Sequence, residues 1–346
     1  MGAPSIVTPT RPHWTPAPQS AKMPPMKLII QIPCYNEADT LPQVLADLPT
    51  AIPGIDTIET LIIDDGSSDS TADLARQLGV DHVVRLPYNQ GLARAFSAGL
   101  QACLDQNADL IVNTDGDNQY QGHCIPDLVK PLLAGQADIV VGARPIENIS
   151  HFSWLKKKLQ RLGSSVVRRF SGTEVPDTTS GFRAYTARAA ATLHVFNKYT
   201  YTLETIIQAG AMGLRIANVP INVNPKTRES RLISSVPRYI RRSSAIILRS
   251  YITYKPLRTF FYFALLPGLA GLILCLRFLY FFFSGDGGHV QSLILAAILL
   301  IVAFQLFALG ILGDLLATNR RLLQEELITT RRQVRQKPHQ HDKPKV

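Results

Sequence analysis

The sequence predicts an α/β fold: an open, mostly parallel sheet with helices on both faces, followed by interfacial helices and a two-helix apolar hairpin. Three observations carry this expectation. Short, β-branched apolar runs alternate with helically spaced segments from Lys27 to about Val219. Nearly every such run ends in a turn-rich polar cluster, and three of these clusters are acidic. Beyond Arg258 the composition becomes almost wholly apolar in two stretches.

The elements follow in order. Leu28 to Ile32 is a strand closed by Pro33-Cys34-Tyr35-Asn36-Glu37, and Ala38 to Leu48 has helical spacing with Pro42 near its start. Thr57 to Ile63 is a second strand, ending in Asp64-Asp65-Gly66-Ser67-Ser68-Asp69. Ser70 with Asp73 three residues on has the form of a capping box opening a helix over Thr71 to Leu78. Val83 to Leu86 is a short third strand. Gln90 to Asp105 is a long helix with Leu92, Phe96, Gly99, Leu100 and Cys103 on one face. Ala108 to Val112 is the fourth strand, and it delivers Asn113-Thr114-Asp115-Gly116-Asp117-Asn118-Gln119. Asp138 to Val141 is the fifth, ending in Gly142-Ala143-Arg144. Asp177 to Arg183 reads as a polar turn, Tyr199 to Met212 as a helix whose Glu204 either pairs with Arg183, the favoured reading, or points into the cleft, and Leu214 to Val219 as a further strand.

In an open parallel sheet, ligands lie beyond the carboxyl ends of the strands where the strand order reverses. Glu37, then Asp64, Asp65 and Asp69, then Asp115 and Asp117 all fall at such ends. Like charges gathered on one rim repel unless something positive sits between them. Asp115 and Asp117, with a turn at Gly116, can converge on one hard cation, and Gln119 adds an amide oxygen. This oxygen set suits Mg²⁺ or Mn²⁺ sharing its shell with a diphosphate. Taken alone, Asp-x-Asp is more often a polar turn closing a strand. Glu37 and Asp65 suit ribose hydroxyls or base N–H groups.

The net charge of +10 over 346 residues asks for an anionic partner. No zinc-finger spacing, RNA-binding aromatic signature or free basic helix points to nucleic acid, so a membrane surface explains the charge better. Trp154-Leu155-Lys156-Lys157-Lys158-Leu159, Arg161 and Arg168-Arg169-Phe170 interleave cations with apolar residues, as an amphipathic helix at an anionic surface does and as a solvated helix face also can. Cys34, Cys103, Cys124 and Cys275 form no paired spacing and read as buried thiols in a reducing compartment. The histidines have no metal-ligand spacing.

Four motifs in register, Pro33-Cys34-Tyr35-Asn36-Glu37, Asp64-Asp65-Gly66-Ser67-Ser68-Asp69, Asp115-Gly116-Asp117-Asn118-Gln119 and Thr179-Ser180-Gly181-Phe182-Arg183, resemble family 2 glycosyltransferases over roughly Lys27 to Arg231. Within that family the chain looks like the dolichol-phosphate mannose synthase branch. The resemblance implies a GT-A-type fold and an inverting transfer of a hexose from a GDP- or UDP-sugar to polyprenyl phosphate (undecaprenyl or dolichyl). It implies that Asp115, Asp117 and Gln119 bind metal and diphosphate, and that Pro33, Tyr35, Glu37, Asp65 and Asp69 serve the donor. It further implies that Arg144, Ser180 and Arg183 line the acceptor side, and that a basic residue near Thr227-Arg228-Glu229-Ser230-Arg231-Leu232 reaches donor phosphates. Here the sequence departs from the branch's more usual Gly-Glu-Ser-Lys, so that role falls to Arg228 or Arg231. A processive polysaccharide synthase is disfavoured because neither Trp14 nor Trp154 belongs to a Gln-x-x-Arg-Trp motif. A diacylglycerol or ceramide acceptor and a catalytically silent membrane scaffold are the remaining alternatives.

The expected organisation is a disordered Pro-rich N-terminus (1–26), a catalytic domain (27–233), interfacial amphipathic helices (234–258), two membrane spans (259–316) and a basic tail (317–346) carrying a short amphipathic helix over Leu322 to Val334. No secretory h-region opens the chain. The spans, Thr259 to Phe283 and Val290 to Leu312, are joined by Ser284-Gly285-Asp286-Gly287-Gly288-His289, which lacks Lys and Arg, whereas Lys255, Arg258, Arg320 and Arg321 flank the outer ends. The positive-inside rule then keeps the catalytic domain and tail cytoplasmic, at a bacterial inner membrane or its equivalent. Arg277, inside the first span, is expected to snorkel or to face the second. A homo-oligomer is compatible with this layout.

Overall fold

The computed structural model describes residues 25–145, 163–165, 167–169, 171–196, 200–225, 236–285 and 290–336. The expectations for the N-terminal arm, for the segment around Trp154 and for Arg228 and Arg231 concern residues outside this set. The described residues form strands β1 (Lys27–Cys34), β2 (Thr57–Asp64), β3 (His82–Arg85), β4 (Leu110–Asn113), β5 (Ile139–Ala143), β6 (Arg183–Thr186) and β7 (Ile216–Pro220) in one sheet of order β3-β2-β1-β4-β6-β5-β7. All neighbours run parallel except β6, which is antiparallel to both β4 and β5.

The helices are α1 (Leu41–Ala46), α2 (Thr71–Gln77), α3 (Leu92–Asp105), α4 (Ile125–Leu133), α5 (Ala187–Thr192), α6 (Thr202–Ala211), α7 (Val236–Tyr254), α8 (Pro256–Phe283) and α9 (Val290–Gln336). Alternation along β1 explains the layering. Leu28, Ile30 and Ile32 join one buried cluster with Ile62, Leu128 and Val129, while Ile29 joins the opposite cluster with Leu61, Phe96 and Tyr185. The chain runs from β1 outward through β2 to β3 and then returns to β1's other side as β4. That reversal puts the switch point between β1 and β4.

Several sequence expectations change in detail. Strand β6 replaces the end of an expected turn, and α4 was not foreseen because Pro126 and Pro131 mask its apolar spacing; Pro126 lies in the first turn, where no backbone donor is lost. The helix after β1 starts only at Leu41, since the Glu37 carbonyl accepts from both Thr40 N and Leu41 N in a tight turn. Ser70 makes no side-chain cap; the Asp69 carboxylate instead accepts from Thr71 N at 3.0 Å. Glu204 accepts from Phe196 N, and Arg183 takes other partners, described below.

Helices α8 and α9 form a hairpin, and both are long and apolar enough to cross a membrane. Small residues let them approach closely: a Cβ on Gly271 would meet Leu300, and one on Gly313 would meet Pro256. Leu266, Phe283, Phe304 and Leu316 are exposed by 70% or more, an extended apolar surface. Arg277 is also exposed, its guanidinium 5.7 Å from the Phe281 ring one turn further along the helix. No separate tail helix forms; α9 continues unbroken to Gln336, about 70 Å at 1.5 Å per residue.

Candidate functional site

The carboxyl ends of β1, β2 and β4 bring the acidic clusters together. Register fixes this: Cys34 pairs with Asp64 across β1 and β2, and Gln31 pairs with Asn113 across β1 and β4. The buried Cys34 thiol marks the centre. It is pushed well above its usual pKa, first by burial and then by the charges of Glu37, Asp64, Asp115 and Asp69. Four carboxylates from three strand tips therefore act on one sulfur.

Asp115, partly open to solvent, completes this arrangement from the tip of β4. Its carboxyl is pushed up to about 7, mainly by burial, then by the charges of Asp117 and Glu37, with Arg144 and Arg183 opposing. The side chain rests on Gly181: a Cβ there would stand 3.1 and 3.2 Å from the two carboxylate oxygens and 2.8 Å from the Tyr201 hydroxyl. Only glycine leaves that room. Below it, a buried polar chain fixes the floor. Gln31 Nε2 donates to Asn113 Oδ1 at 2.8 Å, and Asn113 Nδ2 donates to the Gly181 carbonyl and the Tyr201 hydroxyl, each at 2.9 Å.

The loop carrying Asp117 is held on both sides. Thr40 Oγ1 donates to the Gly116 carbonyl at 2.6 Å and lies 3.3 Å from Glu37 Oε2. Gln119 N donates to Asp117 Oδ1 at 3.1 Å, and Asn118 takes a left-handed φ of 55°, which asparagine tolerates. From beyond β7, Asn224 N donates to the Gln119 carbonyl at 2.9 Å, and Asn224 Nδ2 donates to the Asn118 carbonyl at 3.0 Å. Asn224 is thus pinned to the acidic loop.

The donor-side residues divide by role. Pro33 is buried within β1, and Tyr35 is exposed at the rim. Asp65 accepts from Gln90 N at 2.7 Å and Gly91 N at 2.8 Å, so it orders the loop that opens α3, a duty the sequence did not disclose. Burial nonetheless raises its pKa above the ordinary range, outweighing those two bonds. For Asp69 burial also acts upward, yet hydrogen bonds from Thr71 and Ala38 hold it below the ordinary value. Arg85 on β3 places a cation 3.2 Å from Asp64, another contact unmarked in the sequence.

The expected acceptor side is built differently. Arg144 donates Nε to Asp177 Oδ2 at 2.6 Å and Nη2 to Asp177 Oδ1 at 3.1 Å, a two-pronged pair, with Thr179 Oγ1 at 2.9 Å. Arg183 is fully buried. Its guanidinium donates to the carbonyls of Ser180, Thr178 and Thr202 and to Thr205 Oγ1. The expectation of a cation presented to an acceptor phosphate by Arg183 gives way to a brace that shapes the Asp177–Gly181 turn. Ser180 is buried, its Oγ without a hydrogen-bond partner.

The oxygen set fits a divalent cation. Two like charges, those of Asp117 and Glu37, act on Asp115, and the buried Asn118 Oδ1 of the same loop lacks a hydrogen-bond partner. Among the described residues no group of three or more His, Cys, Asp or Glu side chains encloses one point. An ion here would therefore complete its shell with phosphate and water.

Residues 29–193 match the family described as Glycosyl transferase family 2. An undecaprenyl-phosphate mannosyltransferase of Micrococcus luteus is 30% identical over 222 residues, 61% of this chain and 89% of that protein. A polyprenol monophosphomannose synthase of Mycolicibacterium smegmatis is 26% identical over 209 residues, 57% of this chain and 77% of that one. Among solved structures, the glucosyl-3-phosphoglycerate synthase of Mycobacterium tuberculosis in complex with Mn²⁺, UDP-glucose and phosphoglyceric acid superposes with a TM-score of 0.52 at 21% identity, covering 65% of this chain and 80% of that one. That likeness concerns the fold.

Proposed function

We propose, from the premise that this chain belongs to glycosyl transferase family 2 and is a glycosyltransferase, that it moves a hexose from a nucleotide-sugar to polyprenyl phosphate at a membrane surface. The observation that carries the reading is the meeting of Glu37, Asp69 and Asp115 around Cys34 at the switch point of the sheet. Relatives acting on undecaprenyl phosphate and polyprenol support the acceptor class. The apolar hairpin supports a lipid location, with the catalytic part on the cytoplasmic side.

In this reading Asp115, Asp117 and Gln119 hold Mg²⁺ or Mn²⁺ with the donor diphosphate, which when bound would neutralise charge on the departing nucleoside diphosphate. Glu37, Asp65 and Asp69 border the nucleoside, with Tyr35 at its edge. Arg228 or Arg231 reaches the phosphates: Asn224 is anchored to the acidic loop, and the four residues to Arg228 span at most about 14 Å. One oxygen of the acceptor phosphate attacks the anomeric carbon in line, the bond to the diphosphate breaks, and the configuration inverts. A phosphate anion is nucleophilic at neutral pH, so the chain needs no strong general base. Arg144 and Arg183 act by holding the turn that carries Gly181 and Ser180 against Asp115.

The test incubates the purified full chain with a panel of GDP- and UDP-hexoses, Mg²⁺ or Mn²⁺ and polyprenyl phosphate, and identifies the lipid product by mass and its anomeric configuration by NMR. A hexosyl polyprenyl phosphate of inverted configuration is expected. Transfer to diacylglycerol or ceramide instead, or a retained configuration, overturns the acceptor or the mechanism respectively.

A further inference from the structure

Helix α9 leaves the hairpin where Gly313 packs on Pro256, and about two turns later Arg320 meets the catalytic half of the molecule. The Arg320 guanidinium carbon lies 4.4 Å from the centroid of the Tyr254 ring and 5.9 Å from that of Phe196. Tyr254 is the last residue of α7 and is buried in the same apolar cluster as Ile247, Leu203 and Phe96. Phe196 follows α5, and its N–H donates to the Glu204 carboxylate in the first turn of α6. The Tyr254 phenol is pushed up to about 12 by burial, with the Arg320 charge opposing and the Glu204 charge adding, so both charges lie close to it. Arg320 Nε is buried with no hydrogen-bond partner, and the guanidinium lies against both aromatic rings.

The end of α7 and the segment following α5 thus meet on one side chain of the apolar hairpin, with Glu204 of α6 tied to both. The same turn of α6 also reaches the site: the Tyr201 hydroxyl donates to the Gly181 carbonyl at 3.1 Å, and Thr202 and Thr205 hold Arg183. We infer that Arg320 is a positioning residue, a joint that sets the height and tilt of the cleft over the lipid headgroups and so governs use of an acceptor held in a bilayer, without touching either substrate. The inference rests on the polyprenyl-phosphate reading above.

The experiment compares wild type, Arg320→Ala, Arg320→Lys and Tyr254→Leu as full chains, with long-chain polyprenyl phosphate in proteoliposomes and with a short, water-soluble prenyl phosphate in detergent. Arg320→Ala and Tyr254→Leu are expected to raise KM for the bilayer acceptor about five- to tenfold. KM for the nucleotide-sugar and kcat on the soluble acceptor should stay at wild-type values, and Arg320→Lys should recover most of the loss. Equal losses on both acceptors, or no loss on either, overturn the joint while leaving the acceptor reading intact. A wild type silent toward both prenyl phosphates overturns the reading, and the joint with it.

Discussion

The two sides of the cleft treat their charged side chains in opposite ways. On the β1, β2 and β4 side, carboxylates crowd together, and burial followed by the charges of Asp117 and Glu37 pushes the Asp115 carboxyl up to about 7. On the Asp177–Arg183 side, each charge is matched at short range: Arg144 is paired with Asp177, and Arg183 is wrapped in carbonyl oxygens. Unmatched like charge costs stability and is retained where a ligand of opposite sign completes it. Matched, buried charge builds shape. The first side should therefore fail in catalysis when altered, and the second in folding.

The largest expected effect is on the unmatched side. Asp117→Ala should lower turnover about a thousandfold while circular dichroism and melting temperature stay near wild type. Near-normal activity would remove the cation clamp from the account. Next, Arg183→Met should cost about 3 kcal/mol of stability, because it strips donors from the buried carbonyls of Thr178, Ser180 and Thr202. Denaturant titration measures this, and a fully stable but inactive variant would place Arg183 among the substrate-binding groups.

A smaller effect concerns acid. Burial alone would raise the Asp177 pKa, but Arg144 holds it below the ordinary carboxylate value. A depressed folded pKa contributes stability that is present above the unfolded value of about 3.9 and lost as pH falls through the folded one. Wild type should thus lose more melting temperature between pH 5 and pH 3 than Asp177→Asn; equal slopes would contradict the pairing. The smallest effect is expected of Asn224→Ala, which loosens one clip on the acidic loop and should raise KM for the donor about threefold with kcat little changed.

The same contrast explains what could be read from the sequence. Strand tips bearing Glu37, Asp65 and Asp115 were legible because each follows an apolar run and ends in glycine or polar residues within a few positions. The matched side was not. A fully buried arginine that opens β6 is spelled no differently from one on an exposed turn, since its partners are backbone carbonyls with no sequence signature. The floor beneath Asp115 escaped for another reason. Gln31, Asn113 and Tyr201 lie 82 and 88 residues apart along the chain and meet only once the sheet has formed. Gln31 and Asn113 did leave one trace, a polar side chain in the middle of apolar β1 and another at the end of apolar β4.

The central claim is that carboxylates from separate strands share one divalent cation with a nucleotide diphosphate. Calorimetric titration of GDP and UDP into the full chain, with Mn²⁺ and then with chelator, tests it most directly. One nucleotide should bind at least about tenfold tighter with Mn²⁺, and that gain should vanish in Asp115→Asn and Asp117→Asn. Equal affinity with and without the metal in wild type, or a metal gain that survives both substitutions, would contradict the account.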